Sequence, residues 1–153
     1  LIEIVQLRPN WQLILVGPED SSFKNSELHN LNNVHFLGQK NTEELPAYIN
    51  SFDVCINPQL VNDMTIGNYP RKIDEYLAIG KPIVATKTPT MAIFESVVSL
   101  GTNTNEYISL IEKLIREDNL KKQNERIAFA QSHSWENNVK EIAKAYYLIT
   151  SNK

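Results

Sequence analysis

The sequence predicts an open α/β fold, with one mostly parallel sheet covered by helices on both faces of a single domain. Short apolar runs alternate along the chain with segments whose apolar residues recur at helical spacing. Glycine or proline closes most of these runs, as at Gly17, Gly38 and Pro58. Strands that alternate with helices pair in parallel through right-handed crossovers, and a length of 153 residues suits one domain.

The predicted elements follow in chain order. Strands are expected at residues 11–17, 33–38, 53–58, 82–86 and 96–100. Helices are expected at 1–9, at 70–80 and, after a cap at Asn41 or Thr42, as far as Phe52. Three more helices complete the C-terminal part, the last from Trp135 to Ile149. Because the chain opens on Leu1 within a helical pattern, we expect a fragment of a longer polypeptide that lacks the first strand of its sheet.

Composition and charge set broad limits on function. With 42% hydrophobic and 22% charged residues, the chain has the make-up of an ordinary globular domain, and no apolar run is long enough to span a bilayer. The net charge of −3 argues against a broad electrostatic contact with nucleic acid. One cysteine and three histidines without ligand spacing indicate neither a disulfide nor a metal site, so we expect no metal ion.

The helix predicted at 70–80 has an unusual order of charges. A helix N-terminus is the positive end of the macrodipole and usually carries acidic residues, but here Arg71 and Lys72 come before Asp74 and Glu75. In open α/β sheets, ligands bind beyond the carboxyl ends of the strands. The polar segment 59–69 leaves the predicted third strand and leads directly into this helix. The first turn of the helix is therefore a candidate binding site.

The same turn has backbone donors without an obvious partner. Pro70 suits the first helical position, Tyr69 is a poor cap, and only Asn68 could reach the turn from outside. We therefore expect free N–H groups on the next three residues: Arg71, Lys72 and Ile73. Free donors, the helix dipole and two cations all favour an anion, and a phosphate group fits them best.

Glu75 has two interpretations. Helical rotation places it away from the buried side and near Arg71, where it could accept hydrogen bonds from both hydroxyls of a ribose. Alternatively it forms an exposed ion pair with Arg71, which would add only a few tenths of a kcal/mol to stability. Helical spacing alone does not separate the two interpretations.

Four segments together resemble a known family. The stretches "NVHFLGQ", "EELPAYINSFDVCINP", "PRKIDEYLAIGKPIVAT" and "AFAQSHSWENNVKEIAKAYY" occur in the order found in the C-terminal domain of group 1 glycosyltransferases, which have two Rossmann-like domains in the GT-B arrangement. The resemblance implies that residues 1–153 form a Rossmann-like domain that binds a nucleoside-diphosphate sugar. It also implies that the acceptor, a saccharide or a lipid-linked molecule, is bound mainly by a separate N-terminal domain that this fragment lacks.

The resemblance assigns roles to particular residues. Glu75 would hold the donor ribose, and the backbone around Arg71 and Lys72 would receive the diphosphate. The segment after Gly38, with Gln39 and Lys40, would lie beside the nucleobase. The donor is a substrate, so no cofactor is implied, and the resemblance favours retention of the anomeric configuration without identifying a catalytic residue.

The chain also departs from the family pattern. Gly67 stands where the family has the first of two glutamates eight positions apart, so recognition of the donor sugar is open, with Asp63 or Asn68 as candidate substitutes. The form of the motif that begins at Pro70 resembles a subgroup that acts in bacterial cell-surface polysaccharide synthesis. We therefore expect a cytoplasmic protein, with the inner face of the membrane as an alternative location.

Two other functions remain open at this level. One is a sugar-nucleotide epimerase with the same two-domain plan, which would need a catalytic acid and base in the sugar pocket. The other is a non-catalytic nucleotide-binding or interaction module in which Gly67 marks a lost sugar site. Whichever of these functions holds, unpaired backbone groups at a strand edge lead us to expect some homodimerisation of the fragment. We also expect the isolated fragment to have no transferase activity.

Overall fold

The computed structural model describes residues 1–21 and 23–150, and it confirms the α/β class. The strands are β1 Leu13–Leu15, β2 Val34–Phe36, β3 Cys55–Asn57, β4 Ile83–Thr86 and β5 Ser99–Gly101. The helices are α1 Ile2–Leu7, α2 Leu45–Ser51, α3 Arg71–Ala78, α4 Thr104–Glu117, α5 Leu120–Ser132 and α6 Trp135–Thr150. Short 3₁₀ helices occupy Phe23–Asn25, Glu27–Asn30 and Pro89–Phe94.

All described strand pairs are parallel, as predicted, but they form two sheets instead of one. β1 pairs with β2, with Leu13 opposite Val34. β3, β4 and β5 form the second sheet in that order, with Cys55 opposite Ile83 and Val84 opposite Ser99. Among the described residues, no ladder joins β1 to β3. A groove of about 810 Å³ lies between these two strands and separates the sheets.

Helices cover both faces of the three-stranded sheet. On one face, Ile73 and Leu77 of α3 form a buried cluster with Ile83 and Phe94. On the other face, Ile4 of α1 packs with the buried residues of α4 and with Val84. Since β4 has a strand on each edge and helices on each face, Ile83, Val84 and Ala85 are all fully buried. The core is therefore centred on β4.

The end of α3 is fixed by a glycine turn. Gly80 has a φ of +78°, in the region that suits glycine, and its N–H donates to the carbonyl of Leu77 at 2.8 Å. The N–H of Lys81 donates to Tyr76 at 3.0 Å, which completes the turn between α3 and β4. An added Cβ at Gly80 would meet Ile127 of α5 at 3.2 Å, so α5 lies close against this turn.

α5 is joined to the same turn by a buried cation. The Nε of Arg126 donates to the carbonyl of Gly80 at 2.8 Å, and its Nη2 donates to Asp118 at 2.5 Å. Arg126 is only 4% exposed, so these contacts replace the water that a guanidinium would otherwise bind. The C-terminal helices are thereby connected to the helix that begins at the candidate site.

Two predicted boundaries were wrong. α2 begins at Leu45 without a side-chain cap from Asn41 or Thr42, because residues 42–44 form a turn and Pro46 has no N–H to continue it as a helix. The fifth strand begins at Ser99 and not at residue 96. Val97 and Val98 both donate their N–H groups to Phe94, so this apolar stretch is partly a turn.

α6 has the predicted extent but packs differently from the other helices. No residue of α6 is buried, and its apolar positions, including Val139, Ile142 and Tyr146, are more than half exposed. None of the helices in residues 1–21 and 23–150 is long and apolar enough to cross a membrane.

Candidate functional site

The candidate site lies where the groove between β1 and β3 meets the start of α3. The groove is lined there by Val16, which follows β1, by Asn57 and Pro58 at the end of β3, and by Lys72 and Glu75 of α3. The structure therefore brings two of the predicted site residues to the carboxyl ends of the strands. This is the position at which open α/β sheets bind their ligands.

The first turn of α3 differs in detail from the prediction. Pro70 is the N-cap and not the first helical residue, and no side chain, including that of Asn68, caps the turn. Ile73 was expected to offer a free N–H group, but it donates to the carbonyl of Pro70 at 2.9 Å, and its side chain is fully buried. In the described part of the chain, the N–H groups of Arg71 and Lys72 have no acceptor. Two free donors remain instead of three.

The charged side chains of this turn are exposed. Arg71, Lys72 and Glu75 are all exposed, and no ion pair among the described residues includes any of them. The structure therefore does not form the Arg71–Glu75 pair that was the alternative interpretation of Glu75. Lys72 and Glu75 line the groove, where a ligand with both anionic groups and hydroxyls could bind to them, whereas Arg71 is exposed next to Lys72 and does not line the groove.

Tyr69 lies on a different side of α3 from the groove. Its hydroxyl donates to Asp74 at 2.7 Å, and its ring lies 5.6 Å from that of Phe94. Partial burial and the adjacent Asp74 carboxylate together raise the pKa of Tyr69, so it stays a neutral donor. His133 completes this cluster, with its Nδ1 at 3.4 Å from Asp74. Tyr69 thus connects the start of α3 to the end of α5.

Asn68 is held through its backbone carbonyl and does not line the groove. Its carbonyl accepts a hydrogen bond from Thr90 at 3.3 Å, and Thr90 also donates to the carbonyl of Ile66 at 3.2 Å. Thr90 follows β4, so the end of segment 59–69 is attached to the next loop along the sheet edge. The structure places Asn68 and Tyr69 as supports of the turn.

Neither Gln39 nor Lys40 lines the groove. They follow β2 after Gly38, which has a φ of +68° and accepts a hydrogen bond from Gly17 at 3.0 Å. The Nζ of Lys40 lies 5.4 Å from the ring centre of Tyr48, and Tyr48 itself lines the groove. Lys40 is therefore one side chain away from the groove, and Gln39 does not line it.

Sequence reasoning missed a hydrogen-bonded cluster behind the site. Tyr107 was read only as an apolar position of α4, but its hydroxyl lies 2.9 Å from Thr86 and 3.3 Å from the carbonyl of Asn57. Thr86 also accepts the N–H of Gln59 at 2.9 Å. Burial raises the pKa of Tyr107. The cluster ties the ends of β3 and β4 to segment 59–69, and only the tyrosine hydroxyl could have suggested it from the sequence.

Gly67 occupies an open position. A Cβ added there would meet no atom within 4 Å. The glycine is therefore not required by packing, and a larger residue such as glutamate has space at this point of the segment. The described residues contain no group of three or more histidine, cysteine, aspartate or glutamate side chains that could hold a metal ion.

Comparison with known proteins identifies the class. The sequence profile of the group 1 glycosyl transferases matches residues 1–117, about three quarters of the chain, so the protein belongs to this family. The chain is also similar to TuaH of Bacillus subtilis (strain 168), which is provisionally named a teichuronic acid biosynthesis glycosyltransferase. The two are 29% identical in an alignment 148 positions long that covers 90% of this chain and 36% of TuaH. The chain thus spans about a third of the length of that relative.

Proposed function

We propose that this chain is the donor-binding part of a glycosyltransferase that moves a sugar from a nucleoside-diphosphate sugar to an acceptor hydroxyl. The single observation that carries the proposal is the first turn of α3. It presents two free N–H groups, and Lys72 and Glu75 line the groove at the carboxyl ends of the strands without an ion-pair partner among the described residues, while the neighbouring Arg71 is exposed but does not line the groove. Membership of the group 1 family supports this function over an epimerase.

Each group has a role in the proposed complex. The N–H groups and side chains of Arg71 and Lys72 receive the diphosphate, because charge-assisted hydrogen bonds at a helix N-terminus suit phosphate oxygens. Glu75, one turn further on, accepts hydrogen bonds from the ribose hydroxyls. The segment with Gln39 and Lys40 faces the nucleobase. Exposed and unpaired side chains are able to make these contacts without first breaking others.

The proposed chemistry follows from this placement. The oxygen of the acceptor hydroxyl forms a bond to the anomeric carbon while the bond from that carbon to the diphosphate oxygen breaks. The hydroxyl proton leaves to a base, and the bonding electron pair leaves with the diphosphate. Arg71 and Lys72 are fixed where negative charge grows on the leaving group, so they stabilise the transition state more than the ground state. No metal ion is needed for this neutralisation.

The acceptor and the biological setting are proposed from the comparisons. TuaH is named for the synthesis of teichuronic acid. We propose a role in bacterial cell-surface polysaccharide synthesis, with a saccharide or lipid-linked acceptor held by an N-terminal domain of the full-length protein. The reaction would then take place in the cytoplasm, at the inner face of the membrane.

Calorimetric titration tests the assignment of the turn. The chain is titrated with UDP, GDP, ADP and TDP, and the variant Glu75→Gln is compared with Glu95→Gln, an exposed carboxylate that does not line the groove. Loss of a charge-assisted contact of about 1.5–3 kcal/mol should weaken the bound nucleotide roughly tenfold or more in Glu75→Gln only. Equal affinity in both variants would contradict the role of Glu75.

The cation is tested in the same way with its own control. Lys72→Ala should weaken a nucleoside diphosphate more than the corresponding nucleoside, because it removes charge near the phosphates alone. Lys113→Ala, on the exposed side of α4, should change neither affinity. If Lys72→Ala weakens the nucleoside and the diphosphate equally, the diphosphate does not lie at this turn.

A further inference from the structure

Two carboxylates follow Arg71 on α3 at the spacing of an ion pair, and Arg71 is paired with neither. Asp74 and Glu75 lie three and four residues after it, where acidic and basic side chains of a helix meet. Yet no ion pair among the described residues includes Arg71. Glu75 is exposed, whereas Asp74 is half-buried and both of its carboxylate oxygens have other partners. Asp74 is therefore held by groups other than the cation at the start of its own helix.

Each oxygen of the Asp74 carboxylate contacts a different side chain. The hydroxyl of Tyr69 donates to Oδ2 at 2.7 Å, and the Nδ1 of His133 lies 3.4 Å from Oδ1. The same Nδ1 lies 3.5 Å from the Tyr69 hydroxyl, so the three groups form one closed cluster. Hydrogen bonds to an ionised carboxylate are roughly twice as strong as those between neutral groups. Tyr69 precedes α3 and His133 ends α5, so the Asp74 carboxylate is directed to the junction of these two elements.

The two side chains that hold Asp74 are themselves fixed by aromatic packing. The rings of Tyr69 and His133 lie 5.6 Å and 5.8 Å from the ring of Phe94, which is fully buried. The His133 ring also lies 4.4 Å from that of Phe129. Because the interior of a protein is close-packed, these contacts leave the hydroxyl and the imidazole little freedom to move away from the carboxylate. None of these side chains lines the groove, so the cluster acts on the candidate site only through the first turn of α3.

We propose that Tyr69 and His133 are positioning residues, which hold the Asp74 carboxylate away from Arg71 and so leave the cations of the first turn free for an anionic ligand. If it were released, Asp74 would pair with Arg71, and a ligand would have to break that pair before it could bind. An unpaired cation requires no such exchange. The identity of the anion as a diphosphate rests on the proposed function, but the state of Asp74 can be measured without any ligand.

The side-chain NMR signal of Arg71 tests the first half of this proposal in the free chain. The variant Tyr69→Phe/His133→Phe keeps both rings and removes both partners of Asp74. The carboxylate should then pair with Arg71, which should shift the ¹H–¹⁵N signal of the Arg71 Nε–H and slow its hydrogen exchange about twofold. Adding Asp74→Asn should restore the original signal, because an uncharged amide forms no ion pair.

A control and two single variants complete this measurement. Tyr146→Phe, which removes the hydroxyl of an exposed tyrosine on α6, should leave the Arg71 signal unchanged. Tyr69→Phe and His133→Phe alone should each give part of the shift, since each removes the partner of one carboxylate oxygen. If the loss of both partners leaves the signal as it was, or if one residue accounts for the whole shift, the proposed pair of positioning residues is wrong.

Calorimetric titration tests the second half, with inorganic pyrophosphate and the four nucleoside diphosphates as probes. Loss of both partners should weaken binding about two- to threefold, and the added Asp74→Asn should restore it. A merely structural role of the cluster predicts no such rescue, because Asp74→Asn does not bring back the lost hydroxyl and imidazole. Weak binding that persists after Asp74→Asn would therefore overturn the proposal. If the unsubstituted chain binds none of the probes, the proposed function is wrong, while the Arg71 signal still decides whether Tyr69 and His133 hold Asp74.

Discussion

The strands of the two sheets have similar aliphatic residues, but these residues are buried to very different extents. In the three-stranded sheet, Ile83, Val84 and Ala85 of β4 are fully buried. In the two-stranded sheet, the aliphatic residues of β1 are all half-buried. β4 has strands on both edges and helices on both faces, while β1 faces the groove on one edge. Burial in this fold is therefore determined by the number of neighbouring elements more than by hydrophobicity.

The last two helices show the same contrast. α5 lies against α3, connected through Arg126 to Gly80 and Asp118, although its own surface is largely polar. α6 has apolar residues at helical spacing and yet has none buried. α5 is thus held both by Phe129 and Ala130, which pack on the core, and by the contacts of Arg126, whereas the apolar residues of α6 remain exposed.

The largest expected effect on stability comes from comparing one substitution against each of the two sheets. Leu77→Ala removes a fully buried side chain from the cluster against β4 and should lower the free energy of unfolding by about 3 kcal/mol or more. Leu13→Ala, in half-buried β1, should cost about 1 kcal/mol. Urea unfolding followed by circular dichroism measures both. Equal losses would mean that the two sheets are packed alike.

The next largest effect on stability comes from comparing an ion pair that holds α5 with an exposed ion pair on α6. Asp118→Ala leaves the buried guanidinium of Arg126 without its carboxylate and should cost about 3 kcal/mol. Glu136→Ala removes an exposed pair with Lys140 on α6 and should cost less than about 0.5 kcal/mol. Thermal unfolding of the two variants separates them. A small loss in Asp118→Ala would show that α5 is held by apolar packing instead.

A smaller effect depends on pH and reports on the buried sheet. Burial raises the pKa of the Cys55 thiol to about 12, although Lys81 partly opposes the shift. The unfolded thiol ionises near pH 8.5, so the folded state is favoured below that pH and loses this advantage as pH rises toward 12. Between pH 8 and pH 10 the free energy of unfolding should fall by about 1–2 kcal/mol. The variant Cys55→Ala should show a flatter pH dependence, and identical slopes would contradict the buried thiol.

Much of this fold was readable from the sequence because its signals are local. Apolar runs closed by Gly17, Gly38 and Pro58 located three strands, and Gly80 located the end of α3. The shift of the fifth strand was not readable, because Val98 is buried as part of a turn on Phe94. Hydrophobicity indicates burial but does not distinguish a buried turn from a strand.

The candidate site was predictable in position but less so in detail. The order of charges in the first turn of α3 identified Lys72 and Glu75, and both line the groove. The direction of Tyr69 depends on Phe94 and His133, which are distant in sequence, so no local pattern could show that it faces away. The N–H of Ile73 was assigned wrongly because Pro70 caps the helix with its own carbonyl.

The central claim is that the first turn of α3 binds the diphosphate of a nucleotide, and ¹H–¹⁵N NMR titration tests it most directly. The four nucleoside diphosphates and their nucleosides are added in turn to the labelled chain. The account predicts that at least one diphosphate produces its largest shifts at the amides of Arg71 and Lys72, and that its nucleoside leaves them nearly unchanged. If every diphosphate leaves these two amides unmoved, or shifts other regions more, the claim is wrong.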